Sequence, residues 1–315
     1  MTRALVFPGQ GSQAVGMGRE LAEAFTDARL VFDEVDDALG QKLSKLMAEG
    51  PEADLVLTEN AQPALMAVSL AVVAVLQKQG GLEIARVARF VAGHSLGEYS
   101  ALCAAGTFTL ADAARLLKLR GRSMQKAVPV GQGAMAALMG ADLEAAQAIA
   151  AEAAAETGKV CAAANDNAPG QVVISGDAEA VDRAIAIAAA KGFKRAVKLP
   201  VSAPFHCPLM QPAADAMAEA LAGVAMKPPV VPVVANVIAR AISDPDEIRA
   251  RLVEQVCGVV RWRESMLYVK AEGVNTLVEL GSGKVLTGLA KRIDKELVGV
   301  SVQTPADIES FLRTL

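Results

Sequence analysis

Residues Gly93–Leu102 read GHSLGEYSAL, and this stretch decides the fold class. It contains Gly-x-Ser-x-Gly, the pattern of a nucleophile elbow, in which a serine lies on a sharp turn between a strand and a helix. A short apolar run at 89–92 precedes it, and a helix-like segment follows from Leu96. Glycines suit such a turn because a β-carbon would clash there. We therefore expect Ser95 at the end of a buried strand, placed to attack an acyl carbonyl.

On both sides of the elbow, short apolar segments alternate with helical patterns. The principal strands are predicted at 5–7, 89–92, 230–235 and 276–280. Helices are predicted at 17–25, 28–48, 61–79, 109–124, 208–222, 244–257, 262–272 and 284–293. This alternation is typical of a mostly parallel sheet covered by helices on both faces. We predict an α/β fold with a large α/β-hydrolase-like domain over 1–127 and 200–315.

Between residues 128 and 199 the order of predicted strands and helices differs from that of the rest of the chain. Strands are predicted at 134–139, 159–164, 171–175 and 195–199, with helices at 143–156 and 178–190 and a tight turn at 165–170. The order βαββαβ is that of the ferredoxin-like split βαβ unit. A length of roughly 70 residues suits a small inserted subdomain.

Composition narrows the possible functions. The 315-residue chain is 53% hydrophobic and carries a net charge of −4, which argues against a nucleic-acid binder. Its 4 cysteines form no CxxC pair, and 2 histidines are too few for a histidine-rich metal site. The apolar N-terminus is too short for a signal peptide, and the longest apolar run, 64–76, is too short to span a bilayer. We expect a cytoplasmic protein that binds neither metal nor membrane.

A serine nucleophile needs a base, and the candidates are the two histidines. His94 adjoins Ser95, but neighbours at an elbow point in different directions. His206 lies between two prolines just before a predicted helix, so it is the better candidate. The alternative is a histidine that only packs at a helix entry. Cys207 offers a rival nucleophile, although a lone cysteine is more often a small buried hydrophobe.

An arginine lies on the apolar face of the helix after the elbow. Arg120 lies on the same face of this predicted helix as Ala113, Leu116, Leu117 and Met124. A buried guanidinium needs an anion, because an unpaired buried charge is costly. The anion is either an internal carboxylate, which the position alone slightly favours, or a substrate carboxylate held in a bidentate fork.

Two glycine-rich turns also follow predicted strands. Gln10 lies after the first strand, at the sheet edge where ligands bind, and either lends an N–H to an oxyanion or belongs to a simple turn. The turn 281–284 (GSGK) lacks the spacing of a phosphate-binding loop, so we reject nucleotide binding there.

Taken together, the motifs resemble a known family. The segments are Phe7–Gln13 (FPGQGSQ), Gly93–Tyr99 (GHSLGEY), Leu119–Arg122 (LRGR), Ser202–His206 (SAPFH) and Gln255. In this order they resemble the malonyl-CoA:acyl-carrier-protein transacylases, over essentially the whole chain. The βαββαβ insertion also resembles the small subdomain of that family.

The resemblance implies roles for the catalytic residues. Ser95 would be the acylated nucleophile and His206 its base, in a ping-pong reaction. Gln10 and the Leu96 N–H would form the oxyanion hole. Gln255 would orient His206 through its main-chain carbonyl, which explains why no triad acid is evident.

The resemblance also implies the substrates. Arg120 would bind the free carboxylate of the malonyl group of malonyl-CoA, with Phe205 and Met124 as further substrate contacts and Phe205 suggesting a pocket for the unbranched group. A carrier-protein thiol would then accept the malonyl group for fatty-acid or polyketide extension. No cofactor is needed because the thioester is already activated. We expect a monomer.

The carrier proteins of this reaction are acidic, and so is this chain, so docking needs a local basic patch. The segment 191–198 (KGFKRAVK) leads toward the His206 loop and offers Lys194 and Arg195. The alternative is an ordinary solvated run of charges.

Two rival functions remain. An α/β-hydrolase esterase shares the elbow but has its acid between the serine and a histidine near the chain end, whereas 109 residues follow His206. A non-catalytic acyl-carrier scaffold is disfavoured by the presence of both Ser95 and His206.

Overall fold

The structure is a computed structural model and describes residues 2–193 and 195–315. Within them the strands are β1 (Arg3–Phe7), β2 (Phe90–Gly93), β3 (Gly133–Met139), β4 (Cys161–Ala168), β5 (Gln171–Asp177), β6 (Arg195–Lys198), β7 (Val233–Ala235), β8 (Arg240–Ile242), β9 (Thr276–Leu280) and β10 (Val298–Val302).

The helices are α1 (Arg19–Ala24), α2 (Thr26–Leu39), α3 (Leu43–Glu49), α4 (Glu52–Leu55), α5 (Thr58–Gly80), α6 (Ile84–Val87), α7 (Gly97–Ala104), α8 (Leu110–Ala127), α9 (Leu143–Thr157), α10 (Ala178–Ala190), α11 (Gln211–Ala222), α12 (Pro245–Cys257), α13 (Trp262–Ala271), α14 (Val285–Ile293) and α15 (Pro305–Leu312). A 3-10 turn, Pro208–Met210, precedes α11.

The main sheet has the strand order β10-β9-β1-β2-β7-β8. Its strands run parallel from β10 to β7, and β8 runs antiparallel to β7. Leu5 and Phe7 face a core cluster that contains α5 and α8, whereas Ala4 and Val6 face a second cluster that contains α13 and α14. Both faces are therefore buried, which explains the continuous apolar strands and confirms an α/β fold with a mostly parallel sheet.

The register of this sheet brings three loops together. Phe7 is opposite Gly93, and Ala92 is opposite Val234, so β1, β2 and β7 end side by side. The loops that follow these strands lie at the carboxyl edge of the sheet, where α/β proteins bind ligands.

The segment from β3 to β6 forms a separate antiparallel sheet in the order β4-β5-β3-β6. The elements follow one another as strand, helix, strand, strand, helix, strand. Its own apolar cluster joins residues of α9 and α10, such as Ile149 and Ile187, to Leu138 and Ile174 of the sheet.

The predicted turn at 165–170 is wrong. Strand β4 continues to Ala168, with irregular register on both sides of 165–166, and only Pro169 and Gly170 connect it to β5. Asn and Asp normally favour turns. Here the main-chain N–H of Asp166 donates to the Val260 carbonyl at 2.9 Å, and the Asp166 carboxylate pairs with Arg263 at 2.8 Å. Tertiary contacts therefore hold these polar residues in an extended strand.

Other boundaries also differ from the prediction. The helix predicted at 28–48 is two helices, because Gly40 takes a left-handed conformation (φ 58°) and ends α2. The strand predicted at 230–235 begins only at Val233, after Pro232, which has no N–H to donate. The sequence analysis did not predict β8, β10 or α15.

Helix α5 is long and apolar enough to cross a membrane by length and composition, at 23 residues. It is nevertheless a core helix, because 89% of its most apolar window is buried inside the protein. It packs against α2, α7 and α8, so its surface is apolar on nearly every side. The apolar run at 64–76 lies within it.

Candidate active site

Ser95 follows β2 and has a left-handed backbone (φ 53°), which is uncommon for a residue with a side chain. The flanking glycines allow the turn. A β-carbon on Gly93 would lie 1.9 Å from the Gly97 carbonyl carbon, and one on Gly97 would lie 2.3 Å from the Phe7 oxygen. The elbow therefore depends on close backbone packing that no larger residue permits.

Polar side chains hold this strained turn on both sides. The Ser95 N–H donates to Asn236 Oδ1 at 2.8 Å, and Gln255 Nε2 donates to the Ser95 carbonyl at 2.9 Å. Asn236 Nδ2 also donates to the Gly93 carbonyl at 2.8 Å. A residue keeps a strained conformation only where several contacts hold it there, and these hydrogen bonds hold the turn at Ser95.

His206 lies within hydrogen-bond distance of the serine. Its Nε2 is 2.7 Å from Ser95 Oγ, and its Nδ1 is 2.9 Å from the Gln255 carbonyl oxygen. A carbonyl can only accept, so Nδ1 carries the proton and Nε2 accepts from the Ser95 hydroxyl. Gln255 is in the last turn of α12, where carbonyls lack helical partners, so its oxygen is available. A main-chain carbonyl thus takes the position that a carboxylate has in hydrolase triads.

The surroundings of His206 favour its neutral form. Burial, and then the charge of Arg120, lower the pKa of His206 from 6.5 to about 3. At neutral pH the imidazole is therefore unprotonated and able to accept the serine proton.

Arg120 is buried, with only 1% of its surface exposed. Its Nη2 donates to Gln255 Oε1 at 2.8 Å and to Ser95 Oγ at 3.2 Å, and its Nη1 donates to Gln62 Oε1 at 2.9 Å. Within residues 2–193 and 195–315 it forms no ion pair, and its Nε has no hydrogen-bond partner. In the described residues no carboxylate lies within ion-pair distance of Arg120. The buried Glu98 carboxylate acts on it only by longer-range Coulombic attraction, so the hydrogen-bond partners of this buried cation beside Ser95 Oγ are all neutral.

Gln10 and Leu96 follow β1 and β2 respectively, so their loops are neighbours. A β-carbon on Gly9 would lie 2.8 Å from the His94 carbonyl oxygen, which shows how closely the loops pack. The main-chain N–H groups of Gln10 and Leu96 donate to no atom in the described part of the chain. Both remain available to an oxyanion, and Leu96 adds the partial positive charge of the start of α7.

The two remaining substrate candidates differ in their contacts. Met124 is 1% exposed, and its Sδ lies 3.7 Å from Nε2 of Gln62, the residue that also accepts a hydrogen bond from Arg120. Phe205 is 9% exposed and adjoins His206 in the chain.

The rival catalytic residues point elsewhere. His94 Nε2 lies 2.8 Å from Asn167 Oδ1, and its ring packs against Trp262. Cys207 Sγ donates to the Pro204 carbonyl at 3.2 Å, and burial raises its pKa to about 11. A thiol with that pKa supplies almost no thiolate nucleophile at neutral pH.

The sequence analysis missed Glu98, Asn236 and Gln62. Glu98 is 1% exposed, and its Oε2 accepts from the Asn236 main-chain N–H at 2.9 Å and from Gln255 Nε2 at 3.1 Å. Burial raises the pKa of Glu98 to about 7. Its position three residues after Ser95, one helical turn on, was a usable signal. Nothing in the sequence pattern marks Asn236 or Gln62.

The turn at 281–284 does not form an anion site. The Glu279 carboxylate accepts from the main-chain N–H groups of Leu286 at 3.0 Å and Thr287 at 2.8 Å, at the start of α14. A carboxylate already occupies the place that a phosphate would take. In the described ranges, no three His, Cys, Asp or Glu residues are placed to hold a metal ion.

The basic segment before the His206 loop is partly neutralised. Lys191 pairs with Glu152 at 2.7 Å and Lys198 with Asp182 at 2.6 Å. Arg195 is exposed on β6, whereas Lys194 lies outside the described residues.

Known proteins share this architecture. An acyl transferase domain family matches residues 4–304. The malonyl CoA-acyl carrier protein transacylase of Escherichia coli K12 is 48% identical over 309 residues, 98% of each chain. The crystal structure of an acyl-carrier-protein-S-malonyltransferase from Bartonella henselae is 57% identical, with a TM-score of 0.96, covering 100% of this chain and 99% of that one. A structure of a type II PKS acyl-carrier protein in complex with its malonyl-transacylase also matches, at 44% identity and a TM-score of 0.95. The match covers 100% of this chain and 100% of the matched chain. The chain therefore belongs to the acyl transferase family and, within it, to the malonyl-CoA:acyl-carrier-protein transacylases.

Proposed function

We propose that this enzyme transfers the malonyl group from malonyl-CoA to the phosphopantetheine thiol of an acyl carrier protein, and so supplies fatty-acid or polyketide chain extension. The observation that carries the proposal is a buried Arg120 guanidinium 3.2 Å from Ser95 Oγ, without an ionic partner in the described residues. The names of the relatives support the same substrate pair.

The first half-reaction acylates the serine. Ser95 Oγ attacks the thioester carbonyl while its proton passes to His206 Nε2, 2.7 Å away. The N–H groups of Gln10 and Leu96 stabilise the resulting oxyanion. The C–S bond then breaks, and CoA leaves as the thiol with the proton from His206. Because the thioester is already reactive, these steps need no cofactor.

The charge of Arg120 selects the acyl group. In a malonyl group the free carboxylate is separated from the reacting carbonyl by a single methylene. When the carbonyl lies at Ser95, the carboxylate is therefore close to the guanidinium, which holds it in a charge-assisted pair. In this proposal Met124 and Phe205 also contact the acyl group, and Phe205 limits the pocket to an unbranched group. An acetyl group leaves the buried cation unpaired, which is costly.

The second half-reaction reverses the first with a different thiol. The carrier thiol gives its proton to His206 and attacks the Ser95 ester, and Ser95 regains a proton as it leaves. Gln255 holds the imidazole through a neutral carbonyl, 2.9 Å from Nδ1. The partial negative charge of that helix end favours the transient imidazolium without adding a full charge.

We also propose the wider organisation of the enzyme. Residues 1–127 and 200–315 form the α/β-hydrolase-like catalytic domain, and 128–199 form a ferredoxin-like subdomain. Arg195 is exposed at the start of β6, and this strand runs on toward the His206 loop; in this proposal Arg195, with Lys194, receives the acidic carrier protein. The enzyme acts as a cytoplasmic monomer.

Transfer of label tests the function. The protein is incubated with radiolabelled malonyl-CoA, and carrier protein is then added. We expect label on Ser95 that moves to the carrier thiol. Rapid release of free malonate would instead identify a hydrolase, and the absence of any labelling would identify a scaffold. Ser95→Ala is expected to abolish capture, and retained covalent label would contradict the nucleophile assignment.

Substitution of the buried cation tests the acyl-group selection. Arg120→Ala should lower malonyl transfer roughly 10- to 100-fold more than acetyl transfer, because only malonyl loses a charge-assisted bond. The measurement is kcat/KM for both acyl-CoAs. The control is Arg122→Ala, which removes a half-exposed arginine of the same helix that pairs with Glu59. Equal losses for both substrates would exclude the carboxylate role.

A further inference from the structure

A chain of hydrogen bonds joins the oxyanion loop to the buried arginine. Thr58, the first residue of α5, is fully buried. Its hydroxyl donates to Gln10 Oε1 at 2.8 Å and accepts from Gln62 Nε2 at 3.1 Å. Gln62 Oε1 then accepts from Arg120 Nη1 at 2.9 Å. One hydroxyl is thus the link between the two halves of the site.

The direction of these bonds is fixed by chemistry. A guanidinium can only donate, so Gln62 must turn its oxygen to Arg120 and its NH2 to Thr58. The Thr58 oxygen therefore accepts, and its one proton points to Gln10. If Gln62 lost the Thr58 oxygen, Met124 Sδ at 3.7 Å would be the one remaining acceptor for its NH2 within the described residues.

The main chain at Thr58 is held in place. Helix α8 crosses the start of α5 at Gly121, where a β-carbon would lie 2.5 Å from the Thr58 carbonyl oxygen. The hydroxyl therefore projects from a fixed point between the Gln10 loop and the Arg120 side chain. A rigid point of this kind can transmit the position of one group to another.

We propose that Thr58 is a positioning residue that couples the carboxylate site at Arg120 to the oxyanion loop at Gln10. A substrate carboxylate shares Arg120 with Gln62, and Thr58 keeps the Gln62 oxygen facing the guanidinium while it fixes the Gln10 side chain. A bound malonyl carboxylate and a correctly placed Gln10 N–H therefore occur together. This inference rests on the proposed malonyl transfer.

The test removes the hydroxyl at constant shape. In Thr58→Val we expect the ratio of malonyl to acetyl kcat/KM to fall roughly threefold to tenfold, the loss typical of neutral buried hydrogen bonds. Rates are expressed per titrated Ser95, so misfolded protein does not contribute. Thr58→Ser keeps the hydroxyl and should restore the ratio. Thr58→Cys, with a weaker donor and acceptor, should be intermediate and provides a second variant if valine prevents folding.

The matched control is another buried hydroxyl on α5. Ser69 is fully buried, and its Oγ has no hydrogen-bond partner in the part of the chain that the structure describes. Ser69→Ala should leave the ratio unchanged. An unchanged ratio in active Thr58→Val, failure of Thr58→Ser to restore it, or an equal fall in Ser69→Ala would overturn the inference.

A second measurement separates this inference from the proposed function. Phenylmethanesulfonyl fluoride modifies activated serines, and free malonate held by Arg120 should slow its reaction with Ser95. We expect Thr58→Val to weaken this protection threefold or more, whereas Thr58→Ser should not. Equal protection in wild type and Thr58→Val would contradict the coupling. If wild type transfers no malonyl group, the proposed function fails, but weaker protection in Thr58→Val would still support the coupling. Absence of any protection by malonate in wild type would contradict the coupling.

Discussion

At the scale of single residues, a buried polar network surrounds the Ser95–His206 pair. Glu98 accepts from the Asn236 main chain and the Gln255 side chain, and these two residues hold Ser95 from both sides. A buried network of this kind is useful only when each group is satisfied. We therefore propose that Glu98 is a positioning residue that acts on the reaction through these neighbours.

Glu98 also makes stability depend on pH. Burial raises its folded-state pKa from 4.5 to about 7, so the folded protein binds a proton that the unfolded chain releases. Its contribution is fully present below pH 4.5 and is lost as the pH rises through about 7, by up to about 3 kcal/mol. Glu98→Gln cannot titrate, so its unfolding free energy should change less between pH 5 and pH 8.

Urea unfolding at several pH values measures this difference between wild type and Glu98→Gln. The control is Glu23→Gln, an exposed carboxylate on α1. If wild type and Glu98→Gln lose equal stability between the two pH values, Glu98 does not titrate there.

The sequence predicted that Ser95 and His206 act together, and the structure places Ser95 Oγ 2.7 Å from His206 Nε2. The prediction was possible because Ser95 lies in a local motif and His206 was the better of two histidines. It could not identify Asn236 or Gln62, which are 141 and 33 residues from Ser95. Their roles arise from the order of parallel strands and from helix packing. No periodicity of the sequence records those long-range contacts.

At the scale of elements, helices were predicted best where local chemistry fixes their ends. Thr109 caps α8 by accepting from the Asp112 N–H at 3.1 Å, close to the predicted helix start at residue 109. Short strands were predicted least well, because β8 has 3 residues and pairs with β7 at the sheet edge. Val260 and Arg263, about a hundred residues away, help to hold the polar end of β4 in an extended strand.

The crossing of α8 and α5 at Gly121 supports a specific prediction. A β-carbon there would lie 2.5 Å from the Thr58 carbonyl and 2.6 Å from the Glu59 α-carbon, both backbone atoms that cannot yield cheaply. Gly121→Ala should therefore destabilise the protein by about 1–3 kcal/mol despite the better helix propensity of alanine, and should lower malonyl transfer.

Gly288 provides the matched control for that crossing. It lies inside α14, and a β-carbon there would meet nothing within 4 Å. Gly288→Ala should stabilise the protein by up to about 1 kcal/mol through helix propensity alone. Thermal and urea unfolding of both variants measure the two effects. A stabilised Gly121→Ala would show that the helices separate without cost.

At the scale of the whole molecule, the residues of the site come from the segments of the chain that precede and follow the small antiparallel sheet. Ser95 and Arg120 precede that sheet in the chain, and His206 and Gln255 follow it. Strand β6 leads out of that sheet, and the chain then continues to His206. The net charge of −4 means that an acidic carrier is repelled on average and must be attracted locally.

We propose that Arg195 contributes to that attraction, because it is exposed on β6 and forms no ion pair within residues 2–193 and 195–315. Arg195→Glu should raise the KM for the carrier protein roughly threefold to tenfold and leave the malonyl-CoA kinetics unchanged, since a rim charge acts mainly on association. The effect should shrink at high salt, where exposed charges are screened. The control is Arg183→Glu on α10, whose charge already pairs with Glu156. An equal rise in carrier KM for both variants would indicate a general charge effect, and an unchanged KM in Arg195→Glu would place the docking surface elsewhere.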